Sequence, residues 1–242
     1  MTALQLHLLF EVLAYAAGFR FFLYLRKRGA GAGALENREN ALVIGVGAIV
    51  GAALGAKIAW MLYDPAFAFT NFPDWRHLLG GKSIIGALVG GLAGVETAKR
   101  ALGVRASSGD AFALPLMLGI GIGRIGCFLA GLDDGTYGNP TQLPWGVDFG
   151  DGIPRHPTQI YEEIFLVLWA ILLIKRGNHL TQPGDRFRVF LIGYLTYRLL
   201  IEWIRPMPMA YLGLFSGLQL LCLAGLLYYR RDIPRLIRAY LC

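Results

Sequence analysis

Charge is scarce in this chain: 16% of its 242 residues are Asp, Glu, Lys or Arg, against 55% that are apolar. So little charge cannot clothe a soluble domain of this size, and the positive mean hydropathy agrees. Cysteine is scarcer still. Cys127, Cys222 and Cys242 stand far apart, with no metal-ligand spacing and no disulfide framework, so no metal site is expected. The surplus of cations, +7 overall, falls in short clusters between apolar runs and leaves no basic, aromatic-interleaved surface for a nucleic acid. Gly121, Gly123 and Gly126 spell a GxGxxG, yet no strand precedes them, and they suit close helix packing better than a dinucleotide.

What is present is a succession of apolar runs, and they predict an all-α membrane protein, a single polytopic domain over residues 1–242. The runs lie near 4–25, 41–63, 80–100, 110–130, 160–174, 187–204 and 211–229, which makes seven transmembrane helices. Arg26, Lys27 and Arg28 close the first, marking a cytoplasmic end and a retained span with no cleaved leader. Lys99 and Arg100, Lys175 and Arg176, and Arg230 and Arg231 mark the same side after the third, fifth and seventh runs. The N-terminus is then outside and the C-terminus cytoplasmic. Residues 29–40 read as a flexible cytoplasmic linker, and the outer loops, about 64–82 and 132–158, as a small head. Gly47, Gly51 and Gly55 in the second run and Gly86, Gly90 and Gly94 in the third form small-residue ridges that let helix backbones approach.

Chemistry concentrates in the later spans. Tyr194, Arg198, Glu202 and Arg205 follow one another at spacings of four, four and three, so one helical face carries all four. That stripe cannot face lipid. It is either an interhelical ion-pair network or a ligand site, since intramembrane charges mark function by default. Arg124 lies alone in the fourth run. Two permanently charged planar forks, Arg124 and Arg198, toward the outer ends of their spans suit the phosphate of a lipid. At the outer end of the fifth span, Arg155, His156, Gln159, Tyr161 and Glu162 gather polar groups. His156 has the titration range of a general base but equally suits a helix cap. His7, His77 and His179 lack such company, and Asp133 and Asp134 read as solvated turn residues.

GRIGCFLAG at 123–131, RHPTQIYE at 155–162, GYLTYRLLIEWIRP at 193–206 and, more weakly, GGKSIIGALVGG at 80–91 resemble motifs of the prolipoprotein diacylglyceryl transferase family. The resemblance covers most of the chain. It implies a seven-helix body with a small periplasmic head in the bacterial inner membrane. It also implies transfer of the diacylglyceryl group of phosphatidylglycerol to the lipobox cysteine of a prolipoprotein, releasing glycerol phosphate without a cofactor. Arg124 matches the arginine of the family's GRxGNF signature, Arg198 its arginine in span six, and Tyr194 and Glu202 match as well. On this basis Arg124, Arg198 and His156 are the catalytic candidates. Tyr194, Glu202, Arg205, Cys127, Arg155, Gln159 and Tyr161 are the candidates for substrate binding. Cys127 stands where the signature has asparagine, and Ile85 where the family's GGxSxHGG has histidine; a lipid binder without acceptor chemistry is the alternative these two departures raise.

Overall fold

A computed structural model describes residues 3–29, 35, 37–70 and 81–241. Residues 30–34 and 36 of the expected linker at 29–40 and the middle of the expected outer loop 64–82, including Arg76 and His77, lie outside the described residues. Helices occupy all seven expected runs: α1 Ala3–Lys27, α2 Arg38–Tyr63, α4 Ile84–Ala101, α5 Ala113–Ala130, α6 Thr158–Arg176, α7 Asp185–Ile201 and α8 Gly217–Tyr228. Two short helices complete the described set, α3 Pro65–Thr70 and α9 Ile233–Leu241. Three segments, Gln5–Lys27, Arg38–Tyr63 and Gly109–Asp134, are long and apolar enough to cross a membrane by length and composition.

Burial follows a membrane pattern. Val12, Phe19, Val46, Ile49, Leu168 and Ile174 are among the large apolar residues left exposed on long helices, far more apolar surface than a soluble monomer presents. The inner core instead combines small and aromatic side chains with Ile85, Met117, Phe190, Leu191 and Leu195. Ile85 is 1% exposed, so the position where the family motif carries histidine is here part of the apolar packing.

The two glycine ridges meet as expected. A Cβ built on Gly51 would collide with the carbonyl oxygen of Gly90, one on Gly55 with that of Gly86, and one on Gly94 with that of Gly47. Only glycine lets α2 and α4 touch backbone to backbone in this way. The α1–α5 seam is looser: Gly18 faces the carbonyl oxygen of Pro115 and Gly119 that of Ala14, while the missing side chain of Gly126 leaves room for the Phe10 side chain.

Local chemistry sets the ends of the later helices. The Asp110 carboxylate accepts from the backbone N–H groups of Gly184, Arg186 and Phe187, so an aspartate from the turn just before α5 caps α7. Asp185, 1% exposed, is gripped by both Nη atoms of Arg235 at 2.7 Å and by Arg188 at 2.8 Å, which fastens α9 to the start of α7. Ser216 and Gln219 form a reciprocal capping box on α8.

The loop between α5 and α6 is compact. Val147–Asp148 (β1) and Pro154–Arg155 (β2) pair antiparallel around a turn in which Asp148 Oδ1 accepts from the N–H of Gly150, Asp151 and Gly152. Gly150 and Gly152 take positive φ there, 112° and 78°. The loop folds onto the end of α7 through Asn139 N–H to Ile204 O, 2.8 Å.

Candidate functional site

The stripe predicted on the sixth span is buried as a unit: Tyr194, Arg198, Glu202 and Arg205 are all 8% exposed or less. The backbone tightens from α-helix to a 3₁₀ turn at Glu202–Ile204, which keeps Arg205 on the same side as Glu202. Arg198 Nη2 lies 2.5 Å from Glu202 Oε1, and Arg205 Nη1 reaches the same oxygen at 3.0 Å.

The organising residue is on another helix. Glu162 stands on the second turn of α6, 3% exposed, and takes Arg198 Nη1 on Oε2 at 2.9 Å and Arg124 Nε on Oε1 at 3.0 Å. Tyr194 donates its hydroxyl to Oε1 at 2.6 Å. Arg124 from α5 and Arg198 from α7 are thus brought together as the sequence predicted, but across a carboxylate that the prediction treated as one more polar group of the loop. Glu163 makes none of these ion pairs, and its carboxyl lies against Gly121 of α5.

Three guanidiniums against two carboxylates leave the ion-paired cluster with one uncompensated positive charge. Burying ions costs several kcal/mol each unless every charge is paired, so a surplus cation here is a standing attraction for an anion. The Nε groups of Arg198 and Arg205 are buried and have no hydrogen-bond partner in the protein, which leaves donors to offer to such an anion.

The remaining candidates sit around this cluster. Gln159 is 2% exposed and donates Nε2 to Thr136 Oγ1 at 3.2 Å, tying the start of α6 to the turn after α5. His156 is part-buried, with Nδ1 3.2 Å from the Tyr161 hydroxyl, and that hydroxyl accepts from Trp145 Nε1 at 2.8 Å. Arg155 spends both Nη atoms on Asp151, at 2.7 Å each, and its guanidinium lies over the Tyr137 ring. That fork holds the Asp151 carboxyl below the usual carboxylate range. Cys127 lies one turn beyond Arg124, whose Nη1 is 3.8 Å from Sγ.

Two expectations are corrected. Asp134 is not a solvated turn residue: its side chain is 7% exposed and its Oδ1 lies 3.1 Å from Nδ1 of His7. His7 therefore has the polar company that its sequence neighbours do not supply. Asp133 remains exposed, as expected.

Comparison with known proteins decides the family. Residues 4–229 match the family profile of prolipoprotein diacylglyceryl transferase. The chain belongs to that family. Relatives named phosphatidylglycerol–prolipoprotein diacylglyceryl transferase include one from Geobacter sulfurreducens, 33% identical over 220 residues that cover 85% of this chain and 80% of the relative. Another, from Vibrio parahaemolyticus, is 32% identical over 215 residues, covering 85% and 76%. A third, from Clostridium tetani, is 31% identical over 194 residues, covering 77% of each. Family membership extends over the arginine cluster and both glycine ridges.

Proposed function

We propose that the chain transfers the diacylglyceryl group of phosphatidylglycerol to the lipobox cysteine thiol of a prolipoprotein, as a seven-span enzyme of the bacterial inner membrane. In this reading the N-terminus and the outer loops face the periplasm and the C-terminus the cytoplasm, an orientation supported by the clusters of Lys and Arg that end alternate spans. The observation that carries the reading is the convergence of Arg124 and Arg198 on one buried glutamate, with a third arginine beside them.

The headgroup phosphate binds the surplus cation, with Arg124 and Arg198 as its forks and Tyr194, Glu202 and Arg205 holding them in register. The thiolate sulfur attacks the glycerol carbon that bears the phosphate. A C–S bond forms, the C–O bond breaks, and its electron pair leaves with glycerol phosphate, whose growing charge the fixed guanidiniums stabilise. The thiol proton passes to His156. In the tautomer whose Nδ1–H donates to Tyr161, Nε2 is the basic nitrogen left open. Tyr161 and Arg155 line the head where the acceptor peptide arrives, and buried Gln159 holds the turn beneath it.

The test uses the full chain, labelled phosphatidylglycerol and a lipobox peptide. Arg124→Ala and Arg198→Ala are expected to lower thioether formation by about 10²–10³, the usual cost of losing a charge-stabilising donor. Full activity of either variant, or wild-type protein that retains the lipid without forming product, overturns the mechanism.

A further inference from the structure

The outer end of α1 carries a second polar cluster that the transfer reaction does not use. A ring nitrogen of His7, Sγ of Cys127 and a carboxylate oxygen of Asp134 all lie within 4.8 Å of one another. The three come from α1, from the last turn of α5 and from the 3₁₀ turn Gly131–Asp134 that follows it. We propose that His7, Cys127 and Asp134 bind one divalent zinc-type cation, which clamps α1 to the turn leading into the outer loop.

The donor set selects the class of ion. One imidazole, one thiolate and one carboxylate suit a borderline-soft divalent metal, and three protein ligands leave a fourth tetrahedral position for water. Bond lengths of about 2.0–2.3 Å put neighbouring donors of tetrahedral zinc about 3.3–3.8 Å apart. The His7–Asp134 separation of 3.1 Å is already close to that edge. The charges close as well. A divalent cation with Cys127 as thiolate, Asp134 ionised and His7 neutral has no net charge. The guanidinium of Arg124, 3.8 Å from Sγ, is already paired with Glu162, which limits its repulsion of the metal. Glu11, one turn beyond His7, is engaged by Lys82 at 2.7 Å.

The support around the ligands has the order a metal site needs. Thr136 donates its hydroxyl to Asp134 Oδ2, which orients the carboxylate with Oδ1 toward His7. Thr136 is itself held by Thr158 and Gln159 of α6. On the other side, the Phe10–Gly126 contact fixes the register of α1 against α5, and each of these residues is within one helical turn of a ligand. Binding displaces the thiol proton of Cys127 to solvent, so affinity rises with pH.

The experiment takes the purified full chain in detergent, stripped with a chelator and titrated with Co²⁺ and then Zn²⁺. One equivalent of Co²⁺ is expected to give a thiolate-to-cobalt charge-transfer band that Zn²⁺ abolishes, and Zn²⁺ is expected to raise the thermal midpoint. The band should vanish in Cys127→Ser and persist in Cys222→Ser, which alters the other described free cysteine. His7→Ala and Asp134→Asn should weaken binding by about tenfold or more. These two variants also decide the matter if Cys127→Ser does not fold. A wild-type chain without the band, or affinity unchanged in His7→Ala and Asp134→Asn, overturns the proposal. None of these readouts depends on transferase activity.

Discussion

Arg198 on α7 donates to Oε2 of Glu162 on α6 at 2.9 Å, leaving Oε1 to Tyr194 and Arg124. The carboxylate works as a spacer: it holds two like charges close together without letting either swing away.

Glu162→Gln therefore is expected to damage two properties at once. Removing one partner of a buried ion pair costs on the order of 3–5 kcal/mol, and here a single change unpairs two arginines. Denaturant unfolding in detergent should show a loss of that size. Thioether formation should fall by about 10² or more even where the variant remains folded. A variant with wild-type stability would show that the arginines find other partners.

The α2–α4 seam gives a prediction independent of chemistry. Gly51→Leu and Gly90→Leu place a side chain where a carbonyl oxygen of the facing helix already stands. Overpacking by this much costs at least about 1–3 kcal/mol, and the thermal midpoint should drop in both. Gly45→Ala, which meets nothing within 4 Å and replaces a mid-helix glycine, should not lower it.

Much of this was legible in the sequence, for identifiable reasons. Apolar run length located every long helix, because seven such runs stand between charge clusters. The spacing of four in Gly47, Gly51 and Gly55, and again in Gly86, Gly90 and Gly94, announced the ridges before their partners were known. The stripe from Tyr194 to Arg205 followed from helical periodicity. Glu162 did not stand out, since its role depends on reaching a residue 36 positions away. His7 was hidden more deeply: its partner Asp134 lies on another helix's terminal turn, and no local pattern joins the two. Long-range register between helices decides both cases, and periodicity within one segment carries no information about it.

Asp185→Asn tests the clasp between α9 and the start of α7. It leaves Arg235 without its bidentate partner and also weakens the hold of Arg188. A stability loss of about 1–2 kcal/mol is expected, smaller than for Glu162 because Arg235 is 34% exposed and water screens its pairing, with increased proteolysis within α9, whose Arg238 offers a trypsin site. Unchanged cleavage would mean that α9 is held by its apolar face.

The hairpin between α5 and α6 should respond to acid. Because the Arg155 fork depresses the Asp151 carboxyl, the clasp is fully present above the ordinary aspartate value of about 3.9 and is lost as pH falls through the lower folded value. Emission from Trp145, which donates to Tyr161 beside this hairpin, should change below about pH 4 in the wild-type chain. In Asp151→Asn the acid-form signal should already be present at neutral pH.

The glycine seam has a last implication for traffic. Where two helices meet backbone to backbone there are no side chains to rotate aside, so α2 and α4 behave as one plank. A bulky two-tailed lipid cannot slip between them, and in the proposed mechanism its route to the arginines opens along a different edge of the bundle.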